Sequence, residues 1–226
     1  MPRPRQPKRF AQVRDDLGCH MGQEELLAAL VAPDARVTNT TFSGLELSGV
    51  SANGTVFENV IFRGCSFDGV SLANCTFTDV LFSGCRFVRG DLGRSWLNRV
   101  DLRSCSAPGL SFLKSRLTGV SLVDCQVAYA DLSEATVERL AAAECNLSEA
   151  SLHATKLRHV SLEGCDLSRA TVFRTSLSGI DLSTCEIAGI RVSSDLRELR
   201  GAVVSAEQAV QLAALLGIKI KEEEWL

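Results

Sequence analysis

The chain has 226 residues, enough for one large domain or two small ones, and its 46% apolar and 23% charged content is that of a globular protein. A formal charge of −3, from 27 acidic and 24 basic residues, argues against non-specific binding to nucleic acid. The longest apolar run, Leu26 to Ala32, is too short to span a bilayer, so no membrane contact is expected. Arg3, Arg5, Lys8 and Arg9 resemble the start of a signal peptide, but Glu24 and Glu25 abut the apolar run and argue against one. Residues 1–18 are basic and proline-bearing and are expected to be disordered. Residues 22–32 predict a short amphipathic helix with Leu26, Leu27, Leu30 and Val31 on its apolar side. Residues 1–34 therefore read as a basic, partly disordered segment ending in a capping helix.

From residue 35 the pattern changes. Every fifth residue from Val37 to Val192 is apolar without exception, running Val37, Phe42, Leu47, Ala52, Phe57, Phe62, Phe67 and onward. Two positions before each centre the residue is small or β-branched, as at Thr40, Val60, Cys65, Val80 and Thr175. Two positions after it, glycine is frequent: eleven of the 17 glycines fall there. A period of five fits neither a helix nor a strand. It fits a chain that turns a corner every five residues, with the centre and the preceding small residue inside and glycine relieving the turn. Four corners close a coil of 20 residues, so 35–194 predicts about eight coils stacked into a rod roughly 40 Å long. The small centres Ala52, Ala107 and Ala142 keep the pattern and either leave voids or draw the wall inward, and Ala107-Pro108-Gly109 predicts a local distortion.

Cys65, Cys85, Cys105, Cys125, Cys145, Cys165 and Cys185 recur every 20 residues and so form a ladder on one inner face. Cys75 falls on the opposite face and Cys19 outside the repeat. Zinc sites use closely spaced ligand pairs, which are missing here, and stacked same-pointing residues suit disulfides poorly. The ladder therefore reads as small interior hydrophobes in a reducing cytoplasm. Outside, the first face carries Asp101, Asp124, Glu144, Glu163 and Asp181 against Arg63 and Arg103. The fourth carries Arg36, Arg99, Arg116, Arg139, Lys156 and Arg158 against Glu58, Asp79 and Glu138. One side of the rod is acidic and the other basic. Ile61 and Leu81 form an outward apolar pair on the first face.

After the repeat, 195–226 reads as a cap. A helix is expected over 206–216, with Ser205 and Gln208 at capping-box spacing and Gly217 as its stop. Ile218 and Ile220 alternate with lysines and predict a short strand. Val203, Leu212, Leu215, Leu216, Ile218, Ile220 and Trp225 either form a purely structural cap or, where they exceed what one cap needs, a homodimer through this end.

Units such as Asp131-Leu132-Ser133, Cys165-Asp166-Leu167-Ser168 and Ile180-Asp181-Leu182-Ser183 resemble the A(D/N)LXX signature of the pentapeptide-repeat family. The resemblance implies an all-β fold, a right-handed quadrilateral β-helix, here with short N- and C-terminal capping helices. Among family members the chain is most similar to the Qnr- and MfpA-like group. These proteins mimic B-form DNA and protect type II topoisomerases, DNA gyrase among them, from quinolones and other poisons. The resemblance thus implies a topoisomerase partner met through Asp101, Asp124, Glu144, Glu163 and Asp181, and no direct nucleic-acid contact. The alternative is an interaction scaffold for a different protein. No phosphate loop, dinucleotide fingerprint or nucleophile motif is present, and His153 and His159 lack catalytic company, so no enzyme activity, cofactor or metal is expected.

Overall fold

A computed structural model describes residues 9–14, 17–32 and 34–219. The five-residue period translates directly into backbone geometry. From Asp34 to Gly189 every fifth residue has positive φ, with Thr184 the single exception. Each is a corner at which the chain turns about 90°. Glycine fills many corners, but Arg89, Arg94, Arg99, Tyr129 and Glu144 adopt the same left-handed conformation at φ 51 to 62°. A non-glycine residue there costs about 1 kcal/mol, which the bonds between coils offset.

The long strands are β1 (Arg36–Ser43), β3 (Val56–Arg63), β5 (Thr76–Ser83), β7 (Trp96–Arg103), β8 (Arg116–Val123), β9 (Thr136–Ala143) and β10 (Lys156–Glu163). They stack in that order into one parallel sheet. Every pair is offset by 20 residues, from Val37 opposite Phe57 to Val137 opposite Leu157. The sheet thus makes about six turns of β-solenoid. The last 20-residue period of the expected eight, 175–194, forms no strand and joins through the single bridges Asp166–Glu186 and Thr171–Arg191. A second sheet holds β2 (Glu46–Ser48), β4 (Ser66–Asp68) and β6 (Arg86–Val88). It stops at Val88, and from Ser106 onward this face continues as single bridges. The change falls at Ala107-Pro108-Gly109, where a small centre succeeds Phe87.

The interior is filled by both inward phases. In the N-terminal half the centres are aromatic and stack coil on coil. Ring centroids are 5.0 Å apart for Phe42–Phe62 and Phe62–Phe82, 5.1 Å for Phe57–Phe77 and 4.8 Å for Phe67–Phe87. These match the strand spacing of about 4.8 Å, so identical rings sit in van der Waals contact at no geometric cost. Beyond Phe87 the centres are mostly Leu and Val, and an apolar void of about 50 Å³ opens among Leu132, Leu152, Leu157, Leu162 and Leu177. The other inward phase takes side chains that donate backward. Cys75 Sγ, Ser95 Oγ, Ser115 Oγ and Thr155 Oγ1 each donate to the carbonyl 23 residues earlier, at 3.0, 2.8, 2.7 and 2.8 Å.

Both ends are covered, as an unpaired sheet edge requires. Helix α1 (Gln23–Leu30) buries Leu26 against the first coil, and Thr41 N donates to Cys19 O at 2.8 Å. Val31 turns into solvent, because the helix ends one residue earlier. At the other end lies α2 (Ala206–Leu215). Its capping box is formed: Gln208 N donates to Ser205 Oγ at 3.2 Å, and Ser205 N to Gln208 Oε1 at 2.8 Å. Gln208 Nε2 also donates to Leu182 O and Cys185 O at 2.8 and 2.7 Å, so one amide closes both the helix and the last coil. Ile218 and Lys219 form no strand, and Ile220 and Trp225 lie outside the described residues.

One seam is not closed. Strand β10 ends the long sheet, and among the described residues no backbone bond joins it to 176–183. Leu157, Val160 and Leu162 are accordingly half-buried, while Val137, Leu140 and Ala142 one coil earlier are buried. The amides of Leu157, His159 and Leu162 are expected to exchange with deuterium about a hundredfold faster than those of Val137, Arg139 and Ala142. Equal protection in a hydrogen-exchange experiment would show the seam to be bonded in solution.

Candidate partner-binding faces

The acidic residues of the first face divide into two groups. Asp124, Glu144, Glu163 and Asp181 are exposed. None of the four forms an ion pair among the described residues. Asp124 and Glu144 occupy equivalent corners one coil apart, and Glu163 and Asp181 fall one and three positions short of that column on the next two coils. Hydrogen bonding to Ser183 holds the Asp181 carboxyl below the usual carboxylate range.

Asp101 belongs to a different structure, which corrects its assignment to an open partner-binding face. Its side chain is fully buried beneath residues 9–14. Phe10 N and Ala11 N donate to Asp101 Oδ1 at 3.0 and 3.2 Å. Arg9 and Arg103 approach Oδ2 at 3.6 and 3.4 Å. One coil earlier Gln12 N donates to Asp79 Oδ1 at 2.9 Å, and Arg99 Nε donates to the same oxygen at 2.8 Å. Burial alone would raise the Asp79 carboxyl, but Arg99 and the Gln12 amide outweigh it and hold it low. Ala11 and Val13 then pack over Ile61 and Leu81, burying that outward apolar pair. The ring of Phe10 lies over Gly119, where even a methyl group would stand 3.4 Å from it. Residues 9–14 therefore form an ordered strap along the first face, not a disordered tail. The pair Ile61 and Leu81 was the sequence signal for it, since two large aliphatics stacked outward on one face call for a cover.

On the adjoining face Arg116, Arg139, Lys156, Arg158 and Arg174 are exposed, and none is within an ion pair among the described residues. A groove of about 470 Å³ runs between Arg116, Glu138, Lys156, Arg158 and Arg174. The basic side of the rod is thus concentrated toward its C-terminal half. Toward the N-terminus Arg36 and Arg99 are neutralised by Glu58 and Asp79.

The cysteine ladder is an interior feature. Cys65, Cys85, Cys105, Cys125, Cys145, Cys165 and Cys185 are all buried free thiols, and Cys19 is exposed. Cys85, Cys105 and Cys125 donate to carbonyls of the preceding coil at 3.3 to 3.5 Å. The ladder therefore occupies the same donor slot as Ser95 and Thr155. Among the described residues no group of three His, Cys, Asp or Glu side chains is arranged to hold a metal ion. Burial pushes the Cys75 thiol from 9.0 up to about 11, against the pull of the Thr55 and Gly54 backbone. A raised thiol stays protonated in the fold while the unfolded chain ionises. Its contribution is complete below pH 9 and is lost as pH rises through about 11. Urea midpoints of the native protein are expected to fall between pH 9 and 11, and Cys75→Ser to lessen that fall. Serine fits the slot, as Ser95 shows directly above it. An identical alkaline loss in the variant would remove Cys75 as its source.

At the C-terminal end Leu212 packs on the core, while Val203, Val210, Leu215, Leu216 and Ile218 are exposed. Among the described residues no helix is long and apolar enough to cross a membrane.

Two sequence patterns of one repeat family match the chain: the pentapeptide repeat region over 55–132, and pentapeptide repeats in eight copies over 34–69 and 145–185. No curated protein matches it by sequence. Among solved structures it is similar to QnrB1, described as a plasmid-mediated fluoroquinolone resistance protein. The likeness covers 83% of this chain and 90% of that one at 22% identity and a TM-score of 0.45. It is also similar to HetL from the cyanobacterium Nostoc sp. strain PCC 7120, a pentapeptide repeat protein involved in heterocyst differentiation regulation. There 82% of this chain and 98% of that one align at 19% identity and a TM-score of 0.28. A pentapeptide repeat protein of the Arabidopsis thaliana thylakoid lumen aligns with 61% of this chain and 67% of its own at 20% identity and a TM-score of 0.27.

Proposed function

The chain belongs to the pentapeptide-repeat family, whose members are generally non-catalytic binding scaffolds, and from that premise we propose that it protects a type II topoisomerase, DNA gyrase first, by standing in for DNA. In this reading the rod occupies the enzyme's basic DNA-binding surface and relieves the effect of quinolones or related poisons. The observation that supports it is the row of exposed, unpaired carboxylates Asp124, Glu144, Glu163 and Asp181 on successive coils of one rigid face. Anions fixed on a rigid face present a basic cleft with a preorganised charge array and lose little entropy on binding. The exposed strip of Leu215, Leu216 and Ile218 on the C-terminal cap serves a two-fold dimer, which would double the length of the acidic row. Light scattering at micromolar concentration tests the dimer: a monomer mass removes it.

The second reading, a scaffold for another protein, is favoured by the basic face. Five unpaired cations beside the acidic row are not what a pure charge mimic needs.

The test is a gyrase supercoiling and cleavage assay with the protein titrated in, with and without a quinolone. Rescue of supercoiling or loss of drug-stabilised cleavage is expected, weakened about tenfold by Asp124→Lys with Glu144→Lys. Both positions are exposed corners, so the fold survives the change. No effect of the native protein would discard the topoisomerase reading and leave the scaffold.

A further inference from the structure

The open seam at β10 combines three features that coincide nowhere else among the described residues. The first is an unpaired strand edge. In the rest of the long sheet each strand is paired by the strand 20 residues on. No described backbone group bonds to the free edge of β10: among the described residues Ser176 N and Asp181 N, the amides placed to turn back to it, make no backbone bond, whereas Lys156 N one coil earlier donates to Ala135 O at 2.9 Å. The second is an apolar floor: Leu157, Val160 and Leu162 are half-buried at the seam and border the interior void. The third is a basic rim. Lys156, Arg158 and Arg174 surround the groove at its mouth, in no ion pair among the described residues, with Arg116 two coils away.

We propose that this seam is a docking site for an extended acidic segment of a partner protein, which adds to β10 as a further strand. A strand edge alternates N–H donors with carbonyl acceptors, and only another peptide backbone satisfies both kinds. A nucleic-acid phosphate backbone accepts but does not donate. The pattern of the segment follows from that of the coils. Side chains aligned with Lys156 and Arg158 point outward and are acidic. Those aligned with Leu157 and Val160 point inward and are aliphatic. Admitting a strand widens the seam by about 4.8 Å, with the bridges Asp166–Glu186 and Thr171–Arg191 on the other faces serving as the hinge. Glu163 at the end of β10 and Asp181 on the facing coil belong to the acidic row, so the acidic positions of the segment are confined to the end of the seam beside Lys156 and Arg158. Peptide binding is measured without a topoisomerase, so the proposal and that reading fail separately.

The test uses the full-length protein and a fluorescein-labelled peptide of sequence Glu-Val-Glu-Gly-Val-Ser-Val-Ser, whose glycine meets the corner at His159 and whose valines align with Leu157, Val160 and Leu162. Fluorescence anisotropy is expected to report saturable binding, weakened about tenfold in Lys156→Glu with Arg158→Glu. Both residues are exposed, so circular dichroism of the variant should match the native protein. Three comparisons identify the mode. A peptide with alternate backbone nitrogens methylated keeps its charge but cannot pair as a strand and is expected to lose binding. A lysine-for-glutamate peptide is expected not to bind. The bound peptide is expected to protect the Leu157 and His159 amides from hydrogen exchange. Equal binding of the methylated peptide would reduce the site to unspecific charge attraction and overturn the proposal. So would tighter binding of a DNA duplex than of the peptide, or no peptide binding at roughly 1 mM.

Discussion

Phe82→Ala is expected to destabilise the protein by about 4 kcal/mol. Phe82 sits at the centre of the aromatic half of the rod. Its ring stacks on Phe62 at 5.0 Å and meets Phe67, Phe77 and Phe87 edge-on at 6.3, 6.0 and 5.5 Å. Removing a buried phenyl costs about 3–5 kcal/mol in transfer and cavity terms, and aromatic pairs add up to about 1.5 kcal/mol. The wall cannot collapse to recover this, because the seven corresponding backbone positions of β5 are pinned in register to β7. Leu122 occupies the same column two coils on, beside Ala142 and the void. Leu122→Ala is expected to cost less, about 2–3 kcal/mol, because its neighbours already leave part of the space empty. Urea unfolding of the two variants measures the difference. Hydrogen exchange locates it: each coil touches only its neighbours, so the loss should stay within about one coil of the substitution. A cost below about 1.5 kcal/mol for Phe82→Ala would mean that the stacked rings are not what holds these coils together.

The repeat was legible because one phase is apolar without a break from Val37 to Val192, and the fold follows from that phase alone. The corners were only half legible. Glycine marked them at Gly44, Gly64 and Gly84, but Arg89, Arg94 and Arg99 turn the chain in the same conformation, and arginine carries no local signal for it. There the requirement comes from the coils above and below, so position in the period outranks residue type. The donor slot was read by size when its chemistry was the better guide. Cys, Ser and Thr recur in it because each is small and each can donate to the carbonyl 23 residues earlier. Thr55 occupies the slot in the first full coil and its hydroxyl has no partner among the described residues, since residue 32 lies before the solenoid begins. The seam at β10 was not legible at all. The apolar phase continues through Leu177 and Leu182 unbroken, yet among the described residues no backbone amide of 176–183 turns back to bond β10.

The strap is the other feature the repeat could not disclose, because its residues lie outside the period and its energetics rest on one buried carboxylate. Asp101→Ala is expected to release residues 9–14 and to destabilise the protein by about 1–3 kcal/mol. The substitution removes the shared acceptor of Phe10 N and Ala11 N and leaves those amides to find water. Arg9 and Arg103 stay about one-third exposed, so losing their carboxylate costs less than stranding a fully buried ion. Limited trypsin digestion reads the release directly. Cleavage after Arg14 is slow while the strap lies along the face and is expected to quicken about tenfold or more in the variant. Phe10→Ala supplies a second route, since it removes the ring seated over Gly119 without touching Asp101. Unchanged digestion in both variants would show that the strap is not anchored where the hydrogen bonds place it. Release has a consequence for binding as well. It uncovers Ile61 and Leu81 beside Asp79, so the strapped rod offers partners the carboxylates of its C-terminal half, and the unstrapped rod a longer face that is acidic and apolar together.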